Sequence, residues 1–266
     1  MRFVLAPLRA AALLVHVVVG LALVILAFPF LRQATRNRII HIWSRGVVRL
    51  FGARLIVTGM PMSDAMRVTG IEPGSRGRLV LANHVSWIDV FAINAATPCR
   101  FVAKDEIGRW PVLGALVTRS GTLYIERGRR HAVAAMNHTV RDRLLAGESV
   151  AVFPEGTTTD GRQLLPFHSN LVAPAIAAAA PVWPIAIVYR EGDRRSDAAA
   201  FIGEMTLVTS MIRILVAREM SIEIAVLAPI DASQYSNRHA VARSARDAIA
   251  AYLGVDEAEA VGVLTT

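Results

Sequence analysis

The apolar residues of this chain are unevenly spread, and their spacing changes along its length. From Ala10 to Leu31 the sequence runs for 22 residues with His16 as its one ionisable side chain, between Arg9 and Arg32. A helix of that length would be roughly 33 Å long, enough to cross the hydrocarbon of a bilayer. The run exceeds the about 7–15 apolar residues of a signal peptide, and no convincing small-x-small cleavage site follows it. Gly20 and Pro29 allow a kink or a partly re-entrant path. Ile39 to Phe51 is a second apolar helix carrying Arg45 and Arg49, with Arg54 just beyond, a pattern suited to an interfacial helix whose arginines snorkel. Arg32, Arg36 and Arg38 follow the span, against Arg2 and Arg9 before it. The positive-inside rule then places the remainder in the cytoplasm, on an inner (cytoplasmic) membrane.

Beyond residue 60 the pattern changes to short β-rich runs alternating with helical ones. Strands are expected near Leu55–Thr58, Arg78–Ala82, Arg100–Ala103, Thr122–Ile125, Ser149–Phe153, Val182–Val188 and Ser221–Leu227. Within His131–Leu145, Val133, Met136, Val140 and Leu144 recur at helical spacing, and Val241, Ala245, Ile249 and Leu253 do the same within Arg238–Leu253. Both stripes should pack on the sheet. Trp110–Val117 and Thr206–Val216 are apolar between arginines, and read either as buried packing or as flanks of a lipid-facing groove. Glu191–Ala199 reads as a polar loop. The elements predict an α/β fold, a central mostly parallel or mixed sheet flanked by helices, with an N-terminal hydrophobic membrane-anchoring helical segment. The division is 1–55 for the anchor, 56–256 for the α/β domain and 257–266 for a tail.

Composition excludes several classes. With 54% hydrophobic and 19% charged residues the chain is no disordered or low-complexity protein. Its net charge of +8 draws it to polyanions, whether nucleic acid, anionic lipid or phosphorylated substrates. Aromatics at 6% and scattered arginines do not form a nucleic-acid surface, so no nucleic-acid partner is expected and a bilayer is. The single cysteine, Cys99, precludes an intramolecular disulfide and suits a reducing compartment. Against 28 arginines stands one lysine, Lys104, at a position where a compact ammonium differs from a planar guanidinium. A coding bias toward arginine is the plainer explanation of the ratio.

The chemistry-bearing residues lie at predicted strand ends. Asn83-His84-Val85-Ser86-Trp87-Ile88-Asp89 follows the strand ending at Ala82. A histidine there stands on the rim of the sheet and is suited to accept a hydroxyl proton. In one regular helix His84 and Asp89 would point about 140° apart. If His84 sits in a turn and the helix begins after it, Asp89 reaches back to orient the imidazole. The alternative is a capping Asn83 with an incidental histidine. Phe153-Pro154-Glu155-Gly156-Thr157 follows another strand, where Gly156 permits close backbone approach and Thr157 can donate to an anion. Gly121-Thr122-Leu123-Tyr124-Ile125-Glu126-Arg127 ends in an arginine able to grip phosphate with two donors, and Pro181-Val182-Trp183-Pro184-Ile185 opens a further strand. Ser86 lacks the Gly-x-Ser-x-Gly elbow of a nucleophile. His131 and His138 have no acidic companion in register, so no metal site is expected.

These blocks, in this order, resemble the glycerolipid acyltransferase family, whose best-known members are the 1-acyl-glycerol-3-phosphate acyltransferases. The resemblance covers about residues 35–230. It implies that His84 is the general base and Asp89 its partner, and that Arg127 contacts the acceptor's phosphate. It further implies that Glu155, Gly156 and Thr157 bind the acceptor. Lys104 falls in an Ala-Lys-x-Glu stretch many members carry, and is expected to bind substrate. The implied reaction moves a fatty acyl group from acyl-CoA or acyl-carrier protein, as co-substrate and with no cofactor, to the free hydroxyl of a lysolipid. The implied acceptor is 1-acyl-sn-glycerol-3-phosphate, giving phosphatidate. Where the family's third block often continues Arg-Ser, this chain has Thr158, Thr159 and Asp160. That departure keeps lyso-ornithine lipid as an alternative acceptor. A hydrolase using the same histidine is the competing enzyme class.

Overall fold

The computed structural model describes residues 2–60, 77–110, 113–125, 130–235 and 237–255. Arg127 and the expected tail at 257–266 lie outside the described residues, as do residues 111–112 of the Trp110–Val117 run. In chain order the structure has α1 (Arg2–Ala22), α2 (Gln33–Leu50), β1 (Arg54–Gly59), β2 (Leu79–Ala82), α3 (Asp89–Ala96), β3 (Arg100–Lys104) and α4 (Asp105–Gly108). Then come α5 (Leu113–Arg119), β4 (Leu123–Ile125), α6 (Arg130–Leu145), β5 (Val150–Val152), α7 (Ala173–Ala178), β6 (Val182–Glu191) and β7 (Arg194–Arg195). The last are α8 (Leu207–Val216), β8 (Met220–Val226) and α9 (Arg238–Leu253).

The sheet runs β1-β8-β6-β2-β5-β3-β4, with β7 paired to β6. Its pairs are parallel except β6 with β8 and β6 with β7. The expected mostly parallel or mixed sheet is therefore present, and each expected strand is there. Within Glu191–Ala199, which the sequence presents as a polar loop, the structure forms the short strand β7. Two arginines carry no β signal, and only pairing with Arg190 and Glu191 defines that strand.

Every residue of β2 and β5 is buried, as expected of parallel strands covered on both faces. Successive residues alternate between two cores: Val80 and Ala82 pack with Leu13, Val48, Ala92 and Ile214, whereas Leu79 and Leu81 pack with Met136, Leu144, Ala175 and Val241. Thus α1, α2, α3 and α8 cover one face, and α6, α7 and α9 the other. The predicted stripe of α9 is buried throughout, at Val241, Ala245, Ile249 and Leu253. Burying its large side chains contributes about 1.5–3 kcal/mol each, which outweighs the marginal stability of an isolated helix.

The N-terminal apolar run is helical but not regular. After α1 it widens into a π-helical turn at Leu23–Ala27 and tightens into a 3-10 turn at Phe28–Phe30, with Pro29 inside the latter. Leu5–Phe30 has a mean hydropathy of 2.8, and only 22% of its most apolar window is buried. Gly20 lies against Trp43 and His16 against Gly46, so α1 and α2 run antiparallel as a hairpin. His16 stacks on Trp43 at 5.1 Å and donates from Nε2 to its carbonyl at 2.9 Å, while Trp43 Nε1 donates back to the His16 carbonyl at 3.0 Å. Gly20 makes this approach possible, since a Cβ there would lie 2.6 Å from the indole. The single ionisable group of the run is therefore satisfied inside the hairpin.

Candidate functional site

Parallel strands end on the same edge of a sheet, and that edge gathers the first three motifs, whereas Pro181 lies at the opposite edge, where β6 begins beside the start of β2. Beyond β2 stands His84, beyond β5 the Phe153–Thr157 turn, and at the end of β3 Lys104, while β4 leads toward Arg127, outside the described residues. Residues 83–88 form no regular helix and α3 starts at Asp89, the arrangement under which an aspartate five residues on can reach back. His84 Nδ1 donates to Asp89 Oδ2 at 2.8 Å. The same oxygen accepts from the Val85 and Ser86 backbone N–H groups at 2.8 and 2.9 Å, and Oδ1 accepts from the Tyr189 hydroxyl. Asp89 is fully buried with its charge at a helix start, where the dipole favours an anion. Burial, helped by the charge of Asp89, raises the Tyr189 phenol well above its ordinary value and keeps it a donor.

With Nδ1 carrying the proton given to Asp89, Nε2 of neutral His84 is the basic nitrogen. The ring stacks on Phe153 at 3.8 Å and 9°, and Phe153 stacks in turn on Phe101 at 6.0 Å. The His84 side chain keeps 19% of its surface open. Asn83 is sewn into β6, donating to the Ile187 carbonyl at 3.1 Å and accepting from its N–H at 2.7 Å. That leaves His84 as the residue of this turn facing the rim. Ser86 is fully buried, which removes it from contact with substrate.

Glu155 faces inward. Its Oε1 accepts from His84 N–H at 2.8 Å and its Oε2 from Leu165 N–H at 3.0 Å, so the third motif braces the first. Thr159 N–H also donates to the His84 carbonyl, at 2.8 Å. Burial pushes the Glu155 carboxyl up to about 7; the two N–H donors and the Arg246 guanidinium pull the other way, and the charge of Asp89 adds to the rise. A carboxyl with a raised folded-state value binds its proton more tightly when folded. Its contribution to stability is then fullest below about 4.5 and declines as pH rises toward 7. Glu155→Gln is expected to flatten the fall in unfolding free energy across that window, measured by urea denaturation; an unchanged slope would show that another group causes it.

Gly156 and Thr157 form the exposed outer part of that turn. Gly156 has φ of 73°, and a Cβ there would lie 3.2 Å from the His168 ring. Lys104 is exposed. Among the described residues no group of three or more His, Cys, Asp or Glu is placed to hold a metal.

Behind the aromatic stack lies an apolar cavity. The N-terminal hairpin contributes Val24, Phe28, Ile40 and Trp43 to its wall, and Phe101 and Leu116 close the other side. Phe101 is thus shared between the cavity and the stack that supports His84. The apolar runs around Trp110 and Thr206 differ in the structure: Leu116 and Val117 of α5 line this cavity, and α8 does not.

A histidine held by a buried aspartate at the rim of a mostly parallel sheet, beside an apolar cavity, is equipped to deprotonate a hydroxyl next to a lipid chain. The Acyltransferase family profile matches residues 65–188. A lyso-ornithine lipid O-acyltransferase from Pseudomonas aeruginosa is 36% identical over 242 residues, covering 91% of each chain. A 1-acyl-sn-glycerol-3-phosphate acyltransferase from Neisseria meningitidis is 34% identical over 222 residues, covering 84% of this chain and 83% of that one. The fold is similar to that of the 1-acyl-sn-glycerophosphate acyltransferase PlsC from Thermotoga maritima, at 18% identity and a TM-score of 0.71 over 96% of this chain and 97% of the other. The chain belongs to the acyltransferase family and is an acyltransferase. With the apolar N-terminal helix, that membership indicates association with a membrane.

Proposed function

We propose that this enzyme transfers a fatty acyl group from an acyl thioester, acyl-CoA or acyl-carrier protein, to the free hydroxyl of a lysolipid. The acceptor proposed is 1-acyl-sn-glycerol-3-phosphate and the product phosphatidate. The observation that carries this reading is the Asp89-held, partly exposed imidazole of His84. Nε2 takes the hydroxyl proton as the oxygen attacks the thioester carbonyl carbon. The C–S bond then breaks, and the imidazolium returns that proton to the thiolate. Asp89 fixes the tautomer and stabilises the imidazolium. The apolar cavity supplies a place for an acyl chain within reach of the rim.

In this scheme Arg127 and Lys104 offer cations to phosphate groups, Gly156 and Thr157 border the acceptor, and Glu155 holds the His84 turn from beneath. Arg127→Ala is expected to raise the KM for the phosphorylated acceptor by about tenfold or more with a smaller change in kcat. An unchanged KM would remove Arg127 from the site. The membrane proposed is the inner one, with the α/β domain on the cytoplasmic side, in keeping with the arginines that follow the span.

Lyso-ornithine lipid is the second reading, favoured by residues 158–160. Thr158 spends its hydroxyl on the Phe201 carbonyl and Thr159 its N–H on His84, so neither replaces a phosphate-gripping guanidinium. Asp160 is partly exposed and would attract an ammonium and repel a phosphate. Purified enzyme assayed against both lysolipids, with each donor, separates the readings. Higher kcat/KM for lysophosphatidate supports the first, and the reverse order establishes the second.

A further inference from the structure

Helix α8 is apolar on the side that faces away from the protein. Its inward residues Ser210, Ile214 and Leu215 are buried, and Ser210 accepts from Trp87 Nε1 at 3.0 Å. Its outward residues Val208, Ile212 and Val216 are spaced by four and form one stripe, with Val208 65% and Ile212 56% exposed. The one charged side chain of the helix, Arg213, is turned back to the Asp197 carbonyl at 3.2 Å. Helix α9, on the opposite face of the sheet, behaves differently: its exposed positions include Arg243 and Asp247. An ordinary surface helix points its polar residues outward, as α9 does.

Its neighbour says what covers the stripe. α8 packs beside α1 on the same face of the sheet, and α1 exposes Leu8, Leu14, Val15 and Val18. The apolar surface of the N-terminal helix therefore continues across α8. We propose that α8 is a second membrane-contact element, whose Val208, Ile212 and Val216 enter the interfacial layer of a phospholipid bilayer beside α1. This rests on the reading of α1 as membrane-embedded. Two contacts fix the tilt of the domain, where one helix would leave it free to swing. The segment leading into α8 also holds the site: Phe201 N–H donates to the Val85 carbonyl at 2.9 Å, and the Phe201 carbonyl accepts from Thr158. Docking α8 thereby sets the His84 rim against the lipid surface.

The test uses single introduced cysteines in the full chain. Cys99 is buried and its thiol is pushed up to about 12 by burial, so it stays unlabelled. Ile212→Cys, Leu14→Cys on α1 and Ala135→Cys on the opposite face are each labelled with a nitrobenzoxadiazole fluorophore. The proteins are reconstituted in phosphatidylethanolamine–phosphatidylglycerol vesicles containing a lipid with a nitroxide on its acyl chain. The expected result is quenching at position 212 of at least about half that at position 14, with little at 135. Quenching at 14 with position 212 behaving like 135 overturns the proposal and leaves the α1 reading intact. Absence of quenching at 14 overturns both. Shielding of the 212 label from lipid that strengthens with protein concentration assigns the stripe to a second copy of the chain, and also overturns it.

Discussion

His84→Ala is expected to lower acyl transfer by ~10³-fold or more while the protein stays folded. The imidazole is the one group of the 83–89 turn that combines basicity with access to the rim. Asn83 is tied to Ile187, Ser86 is buried, and Asp89 has both oxygens engaged. Removing the ring takes away the proton acceptor and leaves Phe153 stacked on Phe101 alone. The backbone N–H of residue 84 still donates to Glu155, so the brace between the first and third motifs survives. Circular dichroism should match that of the wild type, with a melting shift of a few degrees at about 1 kcal/mol. Turnover at the wild-type rate in a folded His84→Ala protein would remove the histidine from the chemistry.

Asp89→Asn should cost nearly as much activity and more stability. The buried carboxylate accepts from His84 Nδ1, two backbone N–H groups and the Tyr189 hydroxyl. An amide offers one oxygen, so at least one of those donors loses its acceptor, at about 1–3 kcal/mol for each buried group left unpaired. An amide nitrogen facing Nδ1 would also favour the tautomer with its proton on Nε2, which is the wrong one for a base. Activity is expected to fall by ~10²–10⁴-fold in kcat with little change in KM, and urea unfolding should show a loss of about 2 kcal/mol or more. A variant with near-normal kcat would mean that the aspartate serves only to start α3.

The site was legible in the sequence as far as it is local. An extended run before Asn83 and a helical one after Ile88 imply a turn between them, and in a turn His84 and Asp89 can meet although a helix would separate them. The strand ends were legible for a similar reason, because β-rich runs stop at Gly, Pro and Asn. Tyr189 was not legible. It reaches Asp89 across 100 residues, and only β6 running parallel to β2 and beyond its end brings it there. The orientation of Glu155 was hidden too, since Phe-Pro-Glu-Gly-Thr names the residues of a turn without saying which face inward. The apolar cavity is assembled from α1, α2, α3 and α5 together, and no single periodicity reports it. Of the N-terminal run, length and apolarity were evident. Its hairpin with α2 depends on the fit of Gly20 against Trp43, which spacing alone does not reveal.

Whether the acyl group ends on a lipid oxygen or on water decides between a transferase and a hydrolase built on the same histidine. Purified enzyme in vesicles would be given a thioester with a radiolabelled acyl chain and lysophosphatidate, and the label followed into diacylated lipid and free fatty acid. The expected result is label in phosphatidate, with thiol released in equal amount and both dependent on His84. Label recovered mainly as free fatty acid, at a rate indifferent to lysolipid, would contradict direct transfer to the acceptor hydroxyl.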